Sequence, residues 1–170
     1  SDLNKKNKKK FIFFDVGPPP KKKNSKYYQS GPLSFEYFID NNKIITNCGF
    51  GNKISKKTKL LSRLTSAQST LCLNDSSVVK FEKNNLINDA FGAAITSSFK
   101  VTDFNIDDSK NYLTLSAQHN AYENSFNYIH KRIIKIDKKK SNLFGEDILT
   151  SVNNDQKIQN TYSIRFHLYP

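Results

Sequence analysis

Histidine and arginine are scarce in this 170-residue chain, three of each, and four of the six fall into two matched pairs. His130 and Arg132 stand two apart in SFNYIHKRIIKI, and Arg165 and His167 two apart in TYSIRFHLYP. Residues two apart on an extended strand share a face, so each segment presents an imidazole beside a guanidinium. The guanidinium offers a planar fork to a carboxylate or sulfate, and the imidazole gives or takes a proton near neutral pH. Such pairs suit an anion-binding face, and they also suit an ordinary solvated polar face. The phase puts Tyr128, His130 and Arg132 on one side of their strand, with Ile129 and Ile133 on the other. In the second segment Tyr162, Ile164, Phe166 and Leu168 form the apolar side expected to face a core, opposite Ser163, Arg165 and His167.

Other local chemistry is thin. The histidines, His119, His130 and His167, show no HxH or HExxH spacing for zinc, and no GxSxG elbow, P-loop or dinucleotide fingerprint occurs. Gly145-Glu146-Asp147 brings two carboxylates together, but neighbours on a strand point to opposite faces, a poor geometry for a glycosidase pair. Pairing of this segment with Arg132 across adjacent strands would be structural. Gln29-Ser30-Gly31 is a polar cluster at the mouth of a strand, where an all-β protein can hold a site.

Those residues need strands to position them, and the sequence supplies strands almost exclusively. LSFEYFI and KIITN alternate apolar and polar residues across Asp40-Asn41-Asn42, a hairpin signal, with Leu33, Phe35, Tyr37 and Ile39 expected to face inward together. FIFFDV, STLCLND, SVVKFEK, AAITSSFKV, NYLTLSAQ, SFNYIHKRIIKID, DILTSV and TYSIRFHL are short, β-branched or aromatic, and bounded by Asn, Asp, Ser, Gly or Lys. LLSRLTSAQ reads as one helical turn or a loop. Gly17-Pro18-Pro19-Pro20 must leave any sheet, having few ladder donors. Regularly spaced strands without long helices predict an all-β antiparallel sandwich over residues 11–170, preceded by a disordered Lys-rich lead at 1–10.

The length fits one domain, and the absence of Met together with a strand-like last segment suggests a piece of a longer chain. A net charge of +12, nearly all Lys, favours a polyanionic partner or simply a soluble surface. No aromatic platform for nucleic acid is recognisable, so nucleic acid is not the expected partner. Cys48 and Cys72 fit neither a disulfide framework nor a CxxC metal site. FIFF is far too short to span a membrane, and no signal-peptide core precedes it.

Taken in order, DVGPPP, SGPLSFEY, IITNCG, RLTSAQSTLCLND, SAQHNAY, NYIHKRIIKI with FGEDIL, and YSIRFHLYP resemble the C-terminal β-sandwich region of heparinase II/III-like proteins, the polysaccharide lyases and their bacterial relatives. The resemblance covers Phe11 to Pro170 and implies a sandwich, incomplete here at its C-terminal end, that follows a helical toroid in the parent protein. It implies a lyase acting on acidic, uronate-containing polysaccharide by β-elimination, this chain being inactive without the helical domain. His119 and Tyr122 in QHNAY would take catalytic roles, and Gln29, His130, Arg132, Arg165 and His167 would bind substrate. Gln29, Asn47 and Gln68 stand where zinc-bearing relatives draw His or Asp, so no metal or other cofactor is expected. A bacterial periplasm or cell envelope is implied, and the cytoplasm stays compatible with the sequence. The contrasting reading is a non-catalytic carbohydrate-binding or structural domain, favoured by the amides at positions 29 and 68.

Overall fold

Alternation in KFIFF, FEYFI and NKIIT produces three consecutive antiparallel strands, β1 (Lys10–Phe14), β2 (Phe35–Ile39) and β3 (Asn42–Thr46). The hairpin between β2 and β3 turns at Asp40, which takes the left-handed backbone (φ 54°) that Asp tolerates. Downstream come β4 (Leu71–Leu73), β5 (Val101–Asp108), β6 (Tyr112–His119), β7 (Tyr128–Asp137), β8 (Leu143–Ser151), β9 (Tyr162–Ile164) and β10 (His167–Leu168). The structure, a computed structural model, describes residues 8–51, 53–82, 92–140, 142–153 and 160–170. Most of the predicted Lys-rich lead therefore lies outside the described residues. Among the described residues two short α-helices, α1 (Lys56–Leu61) and α2 (Glu123–Phe126), interrupt the strands. The Ser55 side chain starts α1 by accepting the Thr58 N–H at 3.0 Å. Among the described residues no helix is long and apolar enough to cross a membrane.

The strands form a sheet in the order β1-β2-β3-β10, a second in the order β5-β6-β7-β8, and a β4-β9 pair, antiparallel throughout. Phe35 and Tyr37 of the first sheet meet Ile134 and Ile136 of the second, making the expected antiparallel sandwich. Leu33, Phe35 and Tyr37 are buried and Ile39 packs against the same cluster, so the phase expected for this strand holds. A second apolar cluster gathers Leu71, Leu73, Val78, Val79, Ile95, Phe99 and Tyr122.

Several expectations need correction. SVVKFEK and AAITSSFKV form no extended ladder among the described residues, only the bridge between Phe81 and Ile95. The last segment is also turned the other way from its predicted phase. Tyr162, Ile164, Phe166 and Leu168 are 66, 39, 50 and 71% exposed, whereas Ser163, Arg165 and His167 point inward. Polar side-chain partners lie on that side: Arg165 Nη2 reaches Asp75 Oδ1 at 3.0 Å and His167 Nδ1 stands 3.4 Å from Cys48 Sγ. In β7, likewise, His130 and Arg132 share the buried side with Ile134 and Ile136.

Candidate functional site

A cavity of about 440 Å³ opens where four segments distant in sequence converge. The end of β1 contributes Phe13, Phe14 and Asp15. The approach to β2 and β2 itself contribute Gln29, Gly31, Ser34 and Glu36, and Asn47 and Gln68 complete the wall. Ser34 and Glu36 belong to the strand phase opposite the buried Phe35 and Tyr37, so core register determines which side chains reach the cavity. Gly31 is required by close approach: a Cβ there would stand 2.9 Å from both Gln68 Cγ and Ser34 Oγ.

The approach to β2 is tied down from beneath. Thr65 Oγ1 donates to the Ser30 carbonyl at 2.8 Å and accepts the Val78 N–H at 3.0 Å. The buried Arg63 donates to the carbonyls of Tyr28 (2.9 Å), Ala93 (2.7 Å) and Ser25 (2.8 Å), and the Ser30 N–H bonds the Arg63 carbonyl. Neither Thr65 nor Arg63 figured among the residues singled out from sequence, because their partners are backbone groups that no local pattern announces.

Inside the cavity the two carboxylates differ. Burial raises the Asp15 carboxyl above its usual range, with the Gly17 N–H partly offsetting this. Burial also opposes ionisation of Glu36, but the Asn47 N–H, Lys43 and Thr46 outweigh it and leave that carboxyl lowered. The Asn47 oxygen accepts the Ser69 N–H at 2.8 Å, and Gln68 Nε2 donates to the Ser62 carbonyl at 3.0 Å. The zinc that the resemblance associates with positions 29, 47 and 68 needs free imidazole, thiolate or carboxylate ligands. The neutral amides at these positions, two of them, Asn47 and Gln68, already engaged with the backbone, do not fit it. Among the described residues no group of three or more His, Cys, Asp or Glu stands close enough for a metal ion.

The sequence-predicted residues divide between places. Gln29 lines the cavity. His119, Tyr122, His130 and Arg132 lie buried inside the sandwich, each at most 1% exposed. Tyr122 donates its hydroxyl to the Leu71 carbonyl at 3.0 Å and borders a separate cavity of about 570 Å³, lined also by Ser77, Ser97 and Phe126. His119 Nδ1 accepts the Ala121 N–H at 3.1 Å, so the proton of this ring sits on Nε2 and points to His130 Nδ1, 3.0 Å away. His130 then presents Nε2–H to Asp147 Oδ1 at 2.6 Å. This chain of bonds is complete with both rings neutral.

Burial pushes both imidazoles below their ordinary pKa, His119 well below. Burial alone would raise the Asp147 carboxyl, but hydrogen bonds from His130 and Arg132 and the Arg132 charge bring it to about 2. Arg132 grips Asp147 through Nε at 2.7 Å and Nη2 at 2.9 Å, and the two residues stand opposite in the β7–β8 register, the structural pairing weighed from sequence. The single anion-facing surface expected of His130, Arg132, Arg165 and His167 does not form. Arg132 and His130 share Asp147, Arg165, just past β9, pairs with Asp75 in the turn after β4, and His167 Nδ1 lies 3.4 Å from Cys48 Sγ. Strand phase identifies residues that share a face, and here the shared face of β7 is the covered one.

Three comparisons bear on this architecture. A family model described as heparinase II/III-like, C-terminal, matches residues 3–170. A solved structure of a mutant of heparan sulfate lyase HepC from Pedobacter heparinus aligns with a TM-score of 0.58 at 21% identity, over 82% of this chain and 19% of that one. This chain thus spans about a fifth of that protein's length. No curated protein matches it.

Proposed function

The chain belongs to the heparinase II/III-like, C-terminal family, and from that premise we propose that it is the β-sandwich part of a polysaccharide lyase acting by β-elimination on an acidic, uronate-containing polysaccharide. The chain is not active alone. What carries this reading is the lining of the cavity: amides at Gln29, Asn47 and Gln68, a hydroxyl at Ser34, the carboxyl groups of Asp15 and Glu36, and the rings of Phe13 and Phe14. Hydroxyl, amide and carboxyl groups exchange hydrogen bonds with sugar hydroxyls, and an exposed ring such as Phe13 offers a flat apolar surface to a pyranose.

β-Elimination asks for more than that. A uronate carboxylate must be neutralised, the C5 proton removed by a base, and the departing glycosidic oxygen protonated. No Lys, Arg or His is among the described lining residues, so those tasks fall to the helical domain of the parent chain. The cavity works without zinc, its amides holding the wall through Ser69 and Ser62. Work on such a polymer belongs in the bacterial periplasm or cell envelope. The amide-rich lining also favours a second reading, a domain that binds carbohydrate with no lyase in its parent.

The test is a titration of the chain with uronate-containing oligosaccharide, followed by NMR and by the ultraviolet absorbance of unsaturated product. Saturable shifts at Gln68 and Asn47, weakened at least tenfold in Phe13→Ala, with no product, are expected. Product formed by the chain alone, or shifts confined to other surfaces, would overturn the reading. The parent protein decides between the readings, since a parent that binds the polymer without cleaving it leaves the binding domain.

A further inference from the structure

We propose that Arg132 is a positioning residue for the cavity, holding from the core of the opposite sheet both backbone turns that carry the cavity's polar wall. The proposal rests on the cavity being the functional face. Arg132 Nη1 donates to the Leu33 carbonyl at 2.9 Å and to the Ser69 carbonyl at 2.8 Å, partners 99 and 63 residues away in sequence. Leu33 directly precedes Ser34, and Ser69 directly follows Gln68. Both side chains line the cavity. Because one nitrogen holds both oxygens, the two turns can stand no farther apart than those two bonds together.

The guanidinium is itself fixed. Nε and Nη2 form a fork with Asp147, and the Phe35 ring lies 5.8 Å from the guanidinium carbon. Only a planar, five-donor group can satisfy a carboxylate and two carbonyls at once in a site that is 1% exposed.

Leu33 supplies an independent sign of constraint. It is fully buried, with a φ of 57°, in the left-handed region that a Leu side chain disfavours. Such a conformation persists where surroundings over-determine it. Here the Leu33 N–H donates to the Asp15 carbonyl at 2.9 Å while its own carbonyl accepts from Arg132. Leu33 therefore couples the clamp to Asp15, on the cavity's other wall.

The experiment is amide hydrogen exchange on the chain and on Arg132→Lys, which keeps the charge but loses the fork. Exchange should accelerate at least tenfold at Leu33, Ser34, Ser69 and Thr70, beyond any change at Ile134 and Ile136. Equal acceleration in both groups would make Arg132 a packing element only, and unchanged rates at the four amides would overturn the clamp. If Arg132→Lys does not fold, the wild-type guanidinium protons decide. Separate, slowly exchanging resonances with contacts to Leu33 and Ser69 are expected, and one averaged, fast-exchanging line would overturn the proposal. Exchange is read without sugar, so its failure refutes the clamp. Absence of saccharide binding with the exchange pattern intact refutes only the reading of the cavity.

Discussion

Lowering the pH from 7.5 to 5.5 should destabilise the fold far above the range where carboxylates titrate. His119 and His130 are both buried and their bonds are satisfied only when both rings are neutral. A proton added at His130 Nδ1 would force His119 Nε2 to accept, moving the other His119 proton to Nδ1 against the Ala121 N–H. No arrangement with an extra proton keeps all three bonds. Phe99 and Tyr122 pack against His119 and offer no charge, while beside His130 the Arg132 cation opposes protonation and Asp147 favours it without prevailing over burial.

Both folded-state pKa values are thus depressed, and the unfolded chain takes up more protons once the pH passes below the ordinary value of 6.5. Stability then falls with pH by about 1.4 kcal/mol per unit for each histidine until its folded pKa is reached. At pH 5.5 the pair costs at most about 2.7 kcal/mol, a large part of the roughly 5–15 kcal/mol that stabilises a typical domain. Asp147 has the same sign in a lower window: its contribution is complete above the ordinary carboxylate range and is lost progressively as pH falls through that range to about 2. Urea unfolding at pH 7.5, 6.5 and 5.5, followed by circular dichroism or by the fluorescence of the eight tyrosines in a chain without Trp, measures the slope. His119→Gln can keep a donor toward His130 and an acceptor for Ala121 without titrating, and should roughly halve it. A flat profile down to pH 5.5, or a slope the substitution leaves untouched, would refute the neutral-pair argument.

Asp147→Ala leaves Arg132 buried without its partner and should cost about 3–5 kcal/mol in the same unfolding assay. Phe35→Ala should cost about 3–5 kcal/mol at its 2% exposure, whereas Phe166→Ala, half exposed and touching Phe35 edge-on, should cost about 1–2 kcal/mol. Equal losses for the two would contradict the observed strand faces. Gly31→Ala pushes a methyl group against Gln68 and Ser34, so it should move the Gln68 side-chain amide resonance and cost about 1–3 kcal/mol. Elemental analysis after mild chelation should find no stoichiometric zinc at Gln29, Asn47 or Gln68.

The sequence by itself determined where most of the strands lie and which residues of each share a face, because alternation is local and a one-residue slip would reverse a whole strand. It also determined the inward set from Leu33 to Ile39, since in LSFEYFI one phase is clearly the more apolar, and it brought the Gly145-Glu146-Asp147 segment forward as a cross-strand partner for Arg132, with the structure selecting Asp147. Alternation does not say which face another layer covers, and only the tertiary structure decided that. In β7 the buried phase holds His130 and Arg132 as well as Ile134 and Ile136, because Asp147 and two backbone carbonyls from other segments satisfy the polar groups. In β9 and β10 pairing at the sheet edges turned the apolar row outward. The cavity followed the same rule: Asp15, Gln29, Asn47 and Gln68 come from separate turns, and nothing in their local sequence encodes a meeting that core packing and two buried arginines bring about.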